Sequence, residues 1–389
     1  MSIYLILSNM RNSIYILLVL LALFASCEKN TGELVDDQPI RLSVSLPGAF
    51  KSKVPFQGSA PTTTSPLNVD VWASTTSMVF EHKTDSDGKP LDGRNEGANN
   101  EVSVHTTGHF QSGEPQLLSQ AVYPPPRVGS AGSYTAASVY FVAMHPQSAG
   151  DRKWSTTDGK QAVYTFSGYE DVMYAKEVSG AYDTSEDLGQ VVTNSPVLAF
   201  DHLLTRFTVK MGIDLEEGES LWDVQNAWGE ITDLRIQSYN SAGYGENLNT
   251  VTIDLSKGSS FNYDSDASFS GQHGGSMEFY ALGTNNTFPG DEGYTLTEQI
   301  DSVAYVMCAP VVATAANHEY IITLETRHRG IQELKLDIQK TASSADGTGT
   351  TRGNHFLVTL KFNKGKTVTS AVEVLGWENG GFGSGNIND

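Results

Sequence analysis

Positive charge is scarce in this chain, and so is cysteine. Its 389 residues hold 25 Lys and Arg against 45 Asp and Glu, a net charge of −20, with a pI near 4.8. Nucleic acid and anionic membrane surfaces are bound through basic patches, and this balance repels both. The two cysteines are Cys27 and Cys308. If Cys27 is used as described below, one thiol is left, no internal disulfide forms, and the fold must stand on its apolar core. Cys308 sits in the apolar run Val303–Pro310 and reads as a small buried hydrophobe rather than a nucleophile. There are no heptads and no short repeats. Neither a G-x-S-x-G elbow, an H-E-x-x-H pair nor a phosphate-cradling Gly loop occurs, so the usual marks of a serine hydrolase, a zinc protease and a nucleotide enzyme are missing.

A long apolar run occurs only near the N-terminus. Ile14–Phe24 is apolar throughout, follows Arg11 and leads into Ala25, Ser26 and Cys27. It is shorter than the roughly 20 residues that a spanning helix needs. A positive residue, an apolar run and small residues describe a secretory signal over 1–26. Phe24-Ala25-Ser26-Cys27 resembles a bacterial lipobox, in which the Cys receives a lipid and becomes the mature N-terminus. Removing 1–26 takes away one Arg and no acid, moving the net charge from −20 to −21. Residues 27–38 then form a polar tether. The expected cofactor set is empty apart from the covalent lipid on Cys27.

From residue 39 onward the chain alternates. Ile40, Leu42, Val44 and Leu46 face one way, with Arg41, Ser43 and Ser45 opposite. The stretch Ser195–Met211 places Leu203, Phe207, Val209 and Met211 on one side of a half-buried strand and Arg206, Thr208 and Lys210 on a wet face. Similar patterns mark strands at Leu67–Ala73, Tyr134–Met144, Gln161–Phe166, Leu234–Tyr239, Val251–Leu255, Ser302–Met307, His318–Thr326, Glu333–Gln339, Phe356–Phe362 and Val368–Trp377. Leu221–Ile231 reads as a short surface helix or an irregular crossing. Residues 84–133, rich in Gly, Asn, Ser and Pro, read as long loops with short strands such as Glu101–Val104. Short strands between turn residues, without a sustained helical period, predict an all-β fold of two tandem antiparallel β-sandwich domains. The turn Asn194-Ser195-Pro196 divides them into 39–194 and 195–389.

Few residues offer chemistry. His105 and His109 share one strand face without a third ligand nearby. Asp85-Ser-Asp87-Gly88 through Asp92 faintly resembles a calcium loop without its closing Glu; Asp264 and Asp266 are weaker. His202 reads as a partly buried His bonded to backbone. Trp154, Tyr164, Phe166, Tyr169 and Tyr174 crowd one region. They read first as core and second as a stacking face for sugars. A secreted hydrolase would need convergent carboxylates, and no motif supplies them.

Three stretches together resemble the fimbrillin family, the type V pilins and fimbrillin-like lipoproteins of Bacteroidetes. The first is the lipobox, tether and opening strand Ile40–Leu46. The second is Leu198–Val209, in which Phe200, His202, Thr205, Arg206, Phe207 and Val209 are similar to the family's F-x-H-x-x-[ST]-[KR]-[ILF]-x-V strand. The third is the tail, with Gly353–Leu360 followed by Val372, Val374 and Trp377. The resemblance implies transthyretin-like domains, a location at the outer membrane, lipid-anchored and surface-exposed, and a non-enzymatic role as tip, anchor or stalk of a fimbria. It implies other fimbrial subunits as partners, and adhesion to host or bacterial surface glycans or proteins. In pilin members a protease cuts after an Arg behind the first strand, and a neighbour's strand fills the opened groove. Here the loop after Ile40–Leu46 offers Lys51 and Lys53 instead. The alternative function is a glycan-binding surface lipoprotein of an uptake system.

Overall fold

A computed structural model describes residues 39–46, 66–84, 86–89, 91–92, 101–112, 114–123, 128–130, 133–135, 138–151, 153–180, 195–239, 245–273, 275–282, 284, 286–311, 319–336, 351–365 and 368–376. The fold is all-β. Three main sheets carry it, beside a small Val128–Ser130/Ser133–Thr135 hairpin.

The first sheet runs in the order Leu91–Asp92, Val102–Phe110, Leu67–Ser74, Val139–His145, Met173–Gly180, Val197–His202, Arg41–Ser45, Gln116–Leu117. Its two ends meet. Ile40 N–H donates to the Val122 carbonyl at 2.8 Å, and Ser119 N–H to the Thr107 carbonyl at 2.9 Å. The sheet therefore curls around its own core, where Leu42, Val69, Val71, Val104, Phe110 and Phe141 are completely buried. Such curling satisfies backbone groups that an open edge would leave to water.

The second sheet follows Gly330–Leu336, Glu319–Thr326, Ile231–Tyr239, Gly245–Asp254, Gln161–Thr165 and Ser155–Thr157. Ala267–His273 and Met277–Glu278 branch from it. The third runs Tyr280–Ala281, Asp301–Cys308, Thr205–Ile213, Asn354–Phe362, Val368–Gly376. Its centre is a parallel pair in register from Arg206↔His355 to Ile213↔Phe362. These two sheets enclose Phe207, Val209, Met211, Leu234, Ile322 and Val358. The same core continues onto the back of the first sheet through Trp72, Val142, Met144 and Tyr174. Of the two readings of Leu221–Ile231, a short helix or an irregular crossing, the helix forms, over Leu221–Trp228. A reciprocal box opens it, Ser220 Oγ accepting from Asp223 N–H and Asp223 accepting from Ser220 N–H. It buries Val224 and Trp228.

Sheet membership crosses the boundary expected at 194/195. Ser155–Thr157 and Gln161–Thr165, placed by sequence in the first domain, join the second sheet through Gly245–Asp254. Val197–His202, placed in the second domain, belongs to the first sheet, antiparallel to Met173–Gly180 and parallel to Arg41–Ser45. Ser195–Met211 is thus two strands in two sheets. Leu203 and Leu204 form the step between them, both fully buried. Their backbone stays bonded: Leu203 N–H donates to the Val172 carbonyl at 2.9 Å, and the Leu204 carbonyl accepts from Gly353 N–H at 3.0 Å.

The wet face expected for Arg206 and Thr208 is dry, with 3% and 5% exposure. Alternation shows which face meets the main core; it is blind to what covers the other. Here the Tyr305 ring lies beside Arg206 with Tyr169 packed against it, and His355 meets Thr208, while the backbone at 168 joins the edge of the same sheet. Met307 N–H donates to the Gly168 carbonyl at 2.7 Å. A Cβ on Gly168, whose φ is +100°, would stand 2.9 Å from Val306 Cγ2, so only Gly allows this approach. The loop-rich reading of 84–133 is also corrected at Val102–Phe110, a nine-residue strand paired along Leu67–Ser74. Gly108 made it look like a loop; its missing side chain is where the Phe110 ring lies.

Phe207 stacks on Phe356 with centroids 5.1 Å apart and meets Tyr320 edge-on at 4.7 Å. Phe207→Ala should lower stability by about 3–5 kcal/mol, read as a shifted urea midpoint. Lys210→Ala on the same strand should cost less than about 0.5 kcal/mol.

Candidate functional site

Two places carry the residues singled out by sequence: the slot of the first strand and the junction of the three sheets. In the slot, Arg41–Ser45 lies parallel to Val197–His202 through Ser43↔Val197, Val44↔Leu198 and Ser45↔Ala199. On its other side it meets Gln116–Leu117 through Arg41↔Leu117 and Leu42↔Gln116. The backbone pairing is short. Side-chain burial is extensive: Ile40, Leu42, Val44 and Leu46 are 4%, 0%, 4% and 9% exposed. At about 1.5–3 kcal/mol each, they contribute roughly 6–12 kcal/mol of gross transfer free energy. Only a segment with the same apolar alternation could replace this strand without leaving a void. Cys27, Lys51, Lys53, Trp377 and Asp85 lie outside the described residues.

At the junction, the motif residues are brought together with partners that sequence did not indicate. His202 Nδ1 lies 2.9 Å from Asp171 Oδ1, and both side chains are buried. Arg352 Nη1 donates to Asp201 Oδ2 at 3.0 Å and to the His202 carbonyl at 3.2 Å, while its Nε donates to Asp264 Oδ1 at 2.8 Å. Its guanidinium also lies over the Tyr263 ring, 5.2 Å from the centroid. Thus one cation joins the end of a first-sheet strand to the 262–266 turn beyond the second sheet's Gly245–Asp254 strand. Arg206 lies over the Tyr305 ring at 5.6 Å. Burial holds Arg206 down to about 10, despite Asp171 and Tyr305 nearby. His355 Nε2 meets Thr208 Oγ1 at 2.9 Å. Its imidazole is pushed down to about 3, first by burial and then by Arg206. His145 is lowered too, chiefly by burial.

The reading of His202 as bonded to backbone is refined: its ring meets the Asp171 carboxylate. Arg352, Asp171 and Tyr263 gave no sequence signal, because their partners lie far along the chain and share no spacing pattern. In the tail motif, Val358↔Val372 and Phe356↔Val374 pair across adjacent strands.

The other candidates have structural occupations. His105 stacks on Trp72, with centroids 4.1 Å apart, and lies 3.4 Å from Asp70 Oδ1. His109 Nε2 meets the Gln111 amide at 2.8 Å, with Asn68 on its other nitrogen. Asp264 binds Arg352, and Asp266 accepts from Asn262 N–H at 2.7 Å. Among the described residues, no group of three or more His, Cys, Asp or Glu could hold a metal ion. Buried carboxylates are similarly engaged, Glu177 accepting from Ser77 Oγ and Met78 N–H, each at 2.8 Å. The Cys308 thiol is buried and pushed far up by desolvation, which leaves it inert. The aromatic group is core: Trp154, Tyr164, Phe166 and Tyr174 are 5% exposed or less, and only Tyr169 is half-buried. Trp154 stacks on Tyr164 at 4.9 Å, its Nε1 donating to the Pro146 carbonyl.

No known family profile matches the chain, and no curated protein matches it. Solved structures that the chain resembles include several from Bacteroides species. A candidate cell adhesion protein from Bacteroides uniformis is 16% identical with a TM-score of 0.45, covering 87% of this chain and 99% of that one. A fimbrial protein from Bacteroides vulgatus is 12% identical with a TM-score of 0.38, covering 87% and 99%. A candidate polysaccharide-binding protein from Bacteroides thetaiotaomicron is 12% identical with a TM-score of 0.39, covering 87% and 96%.

The junction makes stability depend on pH. His355 binds its proton far less readily when folded than at its ordinary 6.5. The unfolded state therefore takes up the proton first on acidification, and stability falls from pH 6.5 toward 3 by about 1.4 kcal/mol per unit. His145 acts in the same sense. Denaturant midpoints measured from pH 7 to pH 4 should fall less steeply for His355→Gln than for the natural chain.

Proposed function

We propose that this chain is a non-enzymatic, surface-exposed adhesion protein, lipid-anchored through Cys27. In this reading it is a subunit of type V fimbriae assembled by strand complementation. The observation that carries the proposal is the first strand. Its four core residues fill a continuous apolar slot while its backbone pairs over only a few residues on each side. Removing such a strand exposes a ready-made acceptor, where main-chain bonds supply affinity and alternate pockets supply register. The fimbrillin-like motif stretch Leu198–Val209 forms one wall of this slot through Leu198 and Phe200 and then steps into the third sheet.

A glycan-binding role keeps second place on one observation. Trp222, at the start of the short helix, is 68% exposed and offers a ring face of the kind that stacks on sugars. The aromatic region at Trp154–Tyr174 does not serve that role, because its rings are buried.

Three measurements test the primary reading. Outer-membrane fractions run unboiled and boiled should give a ladder that collapses on boiling; a single band of mature size in both lanes would remove the stalk role. Lys51→Ala together with Lys53→Ala should stop maturation, and polymer at the normal level would show that the cut lies elsewhere. Cys27→Ser should move the protein out of the membrane fraction.

A further inference from the structure

The three sheets protect their edges unequally. Strands ending the sheets at Leu91–Asp92, Gln116–Leu117, Ser155–Thr157 and Tyr280–Ala281 are two or three residues long. Ala267–His273 ends a branch, and its pairing is interrupted between Asn247 and Thr250. Short or irregular edges resist further pairing. Two edges are long and regular, Gly330–Leu336 and Val368–Gly376. The first pairs, among the described residues, with Glu319–Thr326 alone, in unbroken register from Tyr320↔Leu336 to Thr326↔Gly330. It contains no Pro, and its Ile331 is 62% exposed.

Its sequence is complementary to its own two-fold image. Ile331, Glu333 and Lys335 point outward and are exposed; Leu334 and Leu336 point to the core side, where Leu334 is only partly covered. When two copies run antiparallel with Leu334 opposite Leu334, each Glu333 faces the other copy's Lys335. The two Leu334 side chains then complete one another's burial. Centring on Glu333 would oppose two like charges, and centring on Gln332 would set Glu333 against Ile331. Charge therefore selects one register. Edge charges of a single sign would blunt pairing; a Glu and a Lys flanking the centre do the opposite. Val368–Gly376 has Glu373 as its one charged residue and no such complement.

We propose that Gly330–Leu336 is a homodimer interface, where a second copy of this chain extends the second sheet across a two-fold axis at Leu334. The contact is symmetric and needs no displaced strand, so it is independent of the complementation proposed above.

The test uses the full chain in detergent under mild oxidation, read on a non-reducing gel. Opposed residues in such a pair have Cα atoms about 4.5–5.5 Å apart, within disulfide range. Leu334→Cys should therefore give a band of twice the mass. Ile331→Cys should not, since equivalent residues would lie roughly 20 Å apart. Cys308 is buried and does not compete. Adding Glu333→Lys to Leu334→Cys should reduce the cross-linked fraction about tenfold, and adding Lys335→Glu as well should restore it. As a check independent of Leu334, mixed Glu333→Cys and Lys335→Cys chains should cross-link more than either alone. Absence of the Leu334→Cys band in folded protein, equal cross-linking by Ile331→Cys, or indifference to charge reversal would each overturn the proposal.

Discussion

The structure depends on one guanidinium. Arg352 binds Asp201 at the end of a first-sheet strand and Asp264 in a turn of the second-sheet region. Its own residue leads directly into Asn354–Phe362, a central strand of the third sheet. Two carboxylates on one planar cation fix both distance and orientation, which a single apolar contact would not. With 13% of the side chain exposed, the ions are shielded from screening but still reached by water. Around this point the chain steps between sheets at Leu203–Leu204, where the backbone bonds of both residues are kept.

The sheets consequently cannot be separated at a single place in the sequence. Strand pairing is decided by side chains far away along the chain. Gln161–Thr165 finds Gly245–Asp254, while Val197–His202 finds Arg41–Ser45. A continuous core runs from the back of the first sheet between the other two, and Trp72 and Tyr174 belong to it as fully as Phe207.

Legibility in the sequence followed the range of the interaction. Ile40–Leu46, Leu234–Tyr239 and Phe356–Phe362 show their strands in their own alternation, and the all-β class follows from many such stretches. The short helix was only half legible, because the Ser220–Asp223 box that opens it is a local signal easily passed over in so short a stretch. Arg206 and Thr208 were misread because a polar residue on a strand looks the same whether water or another segment covers it. Val102–Phe110 was misread because its His, Thr and Gly residues resemble a loop until Phe110 is seen lying over Gly108. The Asp171–His202 pair and the Arg352 clamp left no trace, since partners separated by 31 to 151 positions create no periodicity.

The parallel pairing of Thr205–Ile213 with Asn354–Phe362 has a consequence in time. A strand at the centre of a sheet waits for a neighbour made almost 150 residues later. A ribosome adds roughly 5–20 residues per second, so the third sheet stays incomplete for many seconds after its first central strand has emerged. Contacts of such long range also make folding intrinsically slow. The third sheet, and the core that it closes against the second, therefore stay open until nearly all of the chain has been made.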